Sequence, residues 1–236
     1  MNQKEENTIK RYKYCNNIQE REDLIFIYPS EFSKDSNVIA NELQKGVDWL
    51  KKITSIDPTT IFGQRVIIAY RHPNDECGGK QQPIWTKNRI SIPWKYLIKP
   101  DEPLDCCTHE LVHPFFRCSP INSRNEGWGE GFCEFIRGPL KRLLGLNGLD
   151  WWLKTIKVAR DNVDSSYTYP AGHFVLKAYE DYKTTHGSKL LSDLLNDDKA
   201  ISAYVKSIFS RFQNTSLSTY ITPSLKMKSK WGKNKI

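Results

Sequence analysis

The sequence predicts an α+β protein, with an N-terminal α/β lobe that contains a small mixed sheet and a C-terminal lobe made of helices. Short β-prone runs precede residue 104, and apolar residues at helical spacing dominate after it. Hydrophobic residues make up 39% of the 236 residues, which favours a folded core over disorder. We expect one domain at 23–222, with lobes 23–104 and 105–222, between a charged lead-in at 1–22 and a basic tail at 223–236.

The N-terminal lobe is predicted to combine three strands with one amphipathic helix. Leu24–Tyr28 and Arg65–Tyr70 are short apolar runs, and Arg89–Ile92 alternates apolar and polar residues as a strand does. Pro93 indicates that the third strand lies at a sheet edge or ends there. The segment from Ser30 to Ile56 has the spacing of a helix. Its apolar positions are Val38, Ile39, Leu43, Val47, Leu50 and Ile53.

The C-terminal lobe is predicted to be helical throughout. We expect the helix predicted at Gly129–Ile136 to stop before Pro139 and to restart after it, because proline lacks an amide donor and its ring crowds the preceding turn. The helix that carries the H-E-x-x-H motif sits at the junction of the two lobes, where a cleft is expected. The predicted helices are Asp105 to about His113, Gly129–Ile136, Trp151–Arg160, Gly172–Tyr182, Ser188–Leu195 and Lys199–Phe212.

The net charge of +8 is concentrated at the C-terminal end. Eight basic and no acidic residues lie between Lys199 and Ile236, whereas residues 1–198 carry 27 of each sign. A solvated tail accounts for this composition, and contact of the tail with an anionic membrane or nucleic acid is the alternative. No specific nucleic-acid partner is predicted.

The chain shows no targeting segment. Met1 to Asn17 is polar and charged, and the apolar runs are too short to span a bilayer. We therefore expect a cytoplasmic or otherwise intracellular protein without a transmembrane segment, and secretion by a route that leaves no visible signal is the alternative. The six cysteines form no C-x-x-C pair, so reduced and mostly buried thiols are expected rather than a thiolate zinc site.

The segment from His109 to His113 has the pattern H-E-x-x-H. On a helix, side chains four residues apart share a face, so His109 and His113 can hold one zinc ion. Glu110 is then placed to act as a general base on water. The pattern predicts a metal-dependent hydrolase.

A catalytic zinc needs a third protein ligand. A zinc motif extended by a glycine and a further histidine is excluded, because Phe116 and Ser119 occupy those two positions. A carboxylate is the other common choice. Downstream, the segment from Asn125 to Phe135 reads N-E-G-W-G-E-G-F-C-E-F.

With this segment, the chain resembles the gluzincin metallopeptidases, the clan of thermolysin and aminopeptidase N, and more loosely the plant basic secretory peptidases. The resemblance implies a zincin-like fold, one Zn²⁺ and a peptide or protein substrate. It also implies that Glu130, 17 residues after His113, is the third ligand. Glu126 also precedes a glycine and remains the competitor. The resemblance implies that Glu134 is an outer-shell carboxylate that accepts a hydrogen bond from a metal-bound histidine.

A later element, Tyr169-Pro170-Ala171-Gly172, resembles the Y-x-x-G of the aminopeptidase branch, where the tyrosine stabilises the oxyanion. Tyr167 and His173 are alternatives for this role. Two features depart from the clan. Pro114 should bend or end the motif helix near His113, after both imidazoles, and no G-x-M-E-N segment precedes the motif.

The function expected from these residues is zinc-dependent peptide hydrolysis, with Arg89–Ile92 as a substrate-aligning edge strand. A catalytically inactive, zincin-like zinc-binding module for protein recognition is the alternative. A binder of anionic surfaces that acts through the basic tail is the third possibility.

Overall fold

The computed structural model describes residues 1–15, 17–30, 33–71, 84–86, 88–93, 101–118, 126–161 and 168–211. The chain forms two compact units, Met1–Lys51 with Ser55–Cys118, and Lys52–Thr54 with Ser119–Ile236. Helices and a five-stranded sheet are both present, so the predicted α+β class is confirmed. The predicted tail at 223–236 lies outside the described residues.

The sheet belongs to the first unit and is mixed. Its strands are β1 (Asn17–Glu20), β2 (Leu24–Tyr28), β3 (Val66–Arg71), β4 (Ile84–Thr86) and β5 (Arg89–Pro93), in the order β1-β2-β3-β5-β4. Strands β2, β3 and β5 are parallel, whereas β1 and β4 run antiparallel to their neighbours. All five residues of β2 are buried, as expected of a central parallel strand.

The prediction that Arg89–Ile92 forms an edge strand is wrong. This strand, β5, lies between β3 and β4, and β4 is the last strand on that side of the described sheet. Three residues are too few to display a period of two, so the sequence pattern did not reveal β4. Pro93 marks the end of β5, opposite Arg71 in the register, as the other interpretation of this proline required.

The helices of the first unit are α1 (Gln3–Ile9), α2 (Ser33–Thr54), α3 (Pro58–Phe62), α4 (Asp101–Glu110) and α5 (Val112–Cys118). The last three residues of α2 belong to the second unit.

Helix α2 confirms the amphipathic helix predicted between Ser30 and Ile56. Leu43, Val47 and Leu50 on its apolar face are at most 1% exposed. The two apolar positions near the start of the helix are less buried: Ile39 is half-buried, and 59% of the surface of Val38 remains exposed.

Helix α1 begins within the segment predicted to be a charged lead-in. Asn2 and Glu5 form a capping box at its start, a signal that the sequence contains. Glu5 is only 3% exposed, and its two carboxylate oxygens accept hydrogen bonds from Nε and Nη2 of Arg65, each at 3.1 Å. Tyr12, after the helix, shares a hydrogen bond of 2.6 Å with Ser91 of β5. These contacts hold the N-terminal segment to the rest of the unit.

Replacing Glu5 by glutamine is expected to lower the free energy of unfolding at pH 7 by about 2 kcal/mol. Burial alone would raise the pKa of the Glu5 carboxyl, but hydrogen bonds from Arg65 and Asn2 and the charge of Arg65 outweigh it and lower the pKa to about 2. The stabilisation is therefore present above the unfolded-state pKa of about 4.5 and is lost as the pH falls from there toward 2.

Urea unfolding of the wild type and of Glu5→Gln between pH 7 and pH 2 measures this difference. Glu6→Gln, at the exposed neighbouring position, is the control and should behave as the wild type does. A difference between wild type and Glu5→Gln that stays constant down to pH 2 would contradict the assignment.

The second unit contains the remaining helices. They are α6 (Glu126–Leu143), α7 (Gly148–Asp161), α8 (Thr168–His186), α9 (Leu191–Leu195) and α10 (Asp198–Arg211). None of the helices in the described part of the chain is long and apolar enough to cross a bilayer.

Helix α6 passes through Pro139 without the predicted interruption. Pro139 cannot donate to the carbonyl of Phe135 four residues earlier, and Trp152 of α7 donates to that carbonyl instead, from Nε1 at 2.8 Å. A side chain at Gly138 would overlap the Trp152 indole, so the glycine makes room for it. The two helices together replace the hydrogen bond that proline removes, which single-helix reasoning did not anticipate.

Candidate metal centre

The H-E-x-x-H motif spans a break between two helices. Helix α4 ends at Glu110, Leu111 forms a turn whose amide donates to Cys107 at 2.9 Å, and α5 starts at Val112. This break places Pro114 in the first turn of α5, where a missing amide proton is tolerated. The expectation that both imidazoles precede the break is therefore wrong, because His113 follows it.

The break does not separate the two imidazoles. The Nε2 atoms of His109 and His113 lie 3.1 Å apart, and their rings meet edge to face with centroids separated by 4.9 Å. His113 is 3% exposed and His109 is half-buried. Leu111, Val112 and Phe115, all at most 1% exposed, anchor the backbone around the break. The local fold therefore directs both Nε2 atoms to one point.

Glu110 lies beside this pair of nitrogens. Its Oε2 atom is 3.9 Å from Nε2 of His113, and the residue is 8% exposed. The donor atoms of His109, Glu110 and His113 all lie within 4.8 Å of one another. Two ligands of one tetrahedral zinc lie about 3.3 Å apart, so the carboxylate is somewhat beyond ligand spacing and within reach of a shared water molecule.

The Cys107 thiol is disfavoured as a metal ligand. Burial raises the pKa of Cys107 well above its usual value, and Cys106, Glu110 and Asp105 raise it further, which favours the protonated thiol over the thiolate that binds zinc. Among the described cysteines, Cys15, Cys107 and Cys133 are buried. The expected burial is confirmed for these three thiols, and their reduced state stays a prediction.

The predicted carboxylates belong to α6 in the second unit. Glu130 is half-buried, and Glu134, one turn later, is 8% exposed. Glu126 is the first residue of α6, but its side chain lies outside the described residues. The assignment of Glu130 as the third ligand, with Glu126 as its competitor, stays a prediction.

Tyr169 lies in the first turn of α8, close to the Glu130 turn of α6. A side chain at Gly131 would overlap Pro170, so this glycine permits α6 and α8 to touch next to both residues. The half-buried Tyr169 ring packs edge to face against His173, with ring centroids 4.7 Å apart, and His173 is 3% exposed. Tyr169 is the more accessible of the two. Tyr167 lies outside the described residues.

Two residues around Glu134 were not singled out from the sequence. Arg137 forms an ion pair with the Glu134 carboxylate at 3.3 Å, and Trp151 of α7 donates to the Glu134 backbone carbonyl at 3.0 Å. The spacing of Glu134 and Arg137 by three residues on a helix was the available signal for the first. No sequence signal predicted the second, because it depends on how α6 and α7 pack.

The chain was compared with known proteins in three ways. No protein-family model, no curated protein and no solved structure matches it.

Proposed function

We propose that this chain is a zinc-dependent metallopeptidase of the gluzincin type, with a zincin-like fold, that hydrolyses peptide bonds in a peptide or protein substrate. The observation that carries the proposal is the separation of 3.1 Å between the Nε2 atoms of His109 and His113. The H-E-x-x-H pattern and the segment around Glu130 support the assignment to the gluzincin type of metallopeptidase.

The two imidazoles fit a zinc ion. Nitrogens bound to one tetrahedral zinc at about 2.0–2.1 Å lie about 3.3 Å from each other, close to the observed separation. Two ring nitrogens at this distance share either a proton or a cation. The buried carboxylate of Glu110 lies near the same point, and a divalent ion held by the two nitrogens would offset its charge. In the proposal, Glu130 is the third ligand.

Each residue of the proposed site has a separate role in the reaction. When bound, zinc would lower the pKa of a water molecule to about 7 and polarise the scissile carbonyl. Glu110 accepts the proton of the attacking water and passes it to the leaving amine. Tyr169 donates a hydrogen bond to the developing oxyanion. Glu134 accepts a hydrogen bond from a ligand histidine and orients its ring.

Because β5 lies between two other strands, we propose β4 instead of β5 as the substrate-aligning strand. Strand β4 is the terminal strand of the described sheet, and it pairs with β5, which packs against α4. We propose that its outer backbone edge pairs with an extended peptide.

Removal of zinc tests the proposal. We expect the purified chain to cleave members of a quenched fluorescent peptide library, to lose this activity after treatment with 1,10-phenanthroline, and to regain it when zinc is added back. Magnesium, which prefers oxygen ligands, should not restore it. Cleavage that survives complete removal of zinc, or a zinc-loaded chain that cleaves no member of the library, would contradict the proposal.

A further inference from the structure

Glu134 forms a small cluster with Arg137 and Trp151. Nη1 of Arg137 lies 3.3 Å from Oε2 of Glu134, and Cζ of Arg137 lies 4.2 Å from the centroid of the Trp151 ring. The indole Nε1 donates to the backbone carbonyl of Glu134. Trp151 therefore contacts both members of the ion pair, one through its ring face and the other through its N–H group.

Burial explains why this carboxylate needs a partner. The side chains of Glu134 and Arg137 are only 10% and 15% exposed, and a buried carboxylate is costly unless it is paired. The Trp151 ring restricts the long arginine side chain, so less rotamer freedom remains to be lost when the ion pair forms. A carboxylate accepts through both oxygens, so pairing at Oε2 is compatible with a second donor at Oε1.

We infer that Arg137, held by Trp151, is a positioning residue that orients the Glu134 carboxylate and thereby strengthens zinc binding at the proposed centre. This inference rests on the proposed function, in which Glu134 supports a ligand histidine. Arg137 does not touch the metal, so its effect passes through Glu134.

The experiment measures the zinc dissociation constant of the purified full chain by competition with a chelating dye. Loss of an outer-shell partner typically weakens zinc binding about 10–100-fold, and we expect Glu134→Gln to fall in this range. Arg137→Met keeps the carboxylate but removes its partner, so we expect a loss of about tenfold. The double variant should bind zinc as Glu134→Gln does, within about twofold, because the two substitutions act on one group.

Lys154→Met is the matched control. Its ammonium also lies over the Trp151 ring, 5.0 Å from the centroid, but the side chain is exposed. We expect its zinc affinity to equal that of the wild type. Arg137→Lys, which keeps the charge but loses the planar fork, should fall between the wild type and Arg137→Met, and it decides the question should Arg137→Met fail to fold. Circular dichroism of the metal-free proteins separates folding from affinity.

Wild-type zinc affinity in both Arg137 variants, or additive losses in the double variant, would overturn the inference while leaving the proposed function in place. A wild type that binds no zinc would overturn the proposed function and the inference together.

Discussion

Replacing Glu110 by glutamine is expected to lower peptide hydrolysis by about 10²–10⁴-fold while one zinc remains bound to each chain. Glutamine has nearly the shape of glutamate but cannot accept the proton of the attacking water. Because Oε2 of Glu110 is 3.9 Å from Nε2 of His113, beyond the spacing of two zinc ligands, the substitution should leave the imidazole pair intact. The measurement is kcat on a cleaved library peptide, beside the zinc content.

Asp105→Asn is the control for this substitution. Asp105 is a half-buried carboxylate on the same helix, so its variant should keep wild-type turnover. A Glu110→Gln protein that binds zinc and hydrolyses peptide at the wild-type rate would exclude Glu110 as the base. Zinc binding without hydrolysis in the wild type would instead favour the inactive recognition module.

Replacing Glu130 by alanine is expected to remove zinc from the protein, whereas Glu126→Ala should retain it. Loss of a direct ligand exceeds the roughly 10–100-fold loss of affinity that follows removal of an outer-shell partner. The two glutamates lie one turn apart on α6, so the pair controls for the charge and for the helix on which it lies. Zinc per chain, measured by mass spectrometry after gel filtration, decides between them.

Retention of zinc in Glu130→Ala together with its loss in Glu126→Ala would transfer the third-ligand role to Glu126. Retention in both variants would mean that neither carboxylate completes the centre.

Secondary-structure elements with a clear apolar pattern could be predicted from the sequence. Helix α2 and strands β2 and β3 carry apolar runs or helical spacing long enough to be recognised, and all three lie within two or three residues of their expected bounds. Helix α1 and strand β4 escaped because seven and three residues give little periodicity. The capping box of Asn2 and Glu5 was the one available signal for α1.

The effects of the two helical prolines could not be predicted from the proline positions alone. Pro139 is accommodated because Trp152, on another helix, supplies the missing donor to Phe135. Pro114 is accommodated because the chain breaks before it, at Leu111, rather than after His113. For Pro139 the backbone partner is chosen by tertiary packing, which a local pattern does not encode.

The candidate site also contains some residues that sequence spacing predicted and others that it did not. The four-residue spacing of His109 and His113 predicted that their imidazoles would converge, with Glu110 beside them. The donor atoms of all three residues lie close together in the structure. Trp151 was missed because its hydrogen bond to the Glu134 carbonyl arises from the packing of α6 against α7. Arg137 lies three residues after Glu134 on the same helix, and this spacing was a signal that the sequence contains.

The most direct test of the proposed zinc centre is zinc K-edge X-ray absorption of the zinc-loaded protein. We predict one zinc per chain with two imidazole nitrogens and carboxylate or water oxygens at about 2.0–2.2 Å, and loss of the imidazole signal in the His109→Ala and His113→Ala variants. A chain that retains no zinc, or a spectrum dominated by sulfur at about 2.3 Å, would contradict it, because the histidine pair would then not be the metal centre.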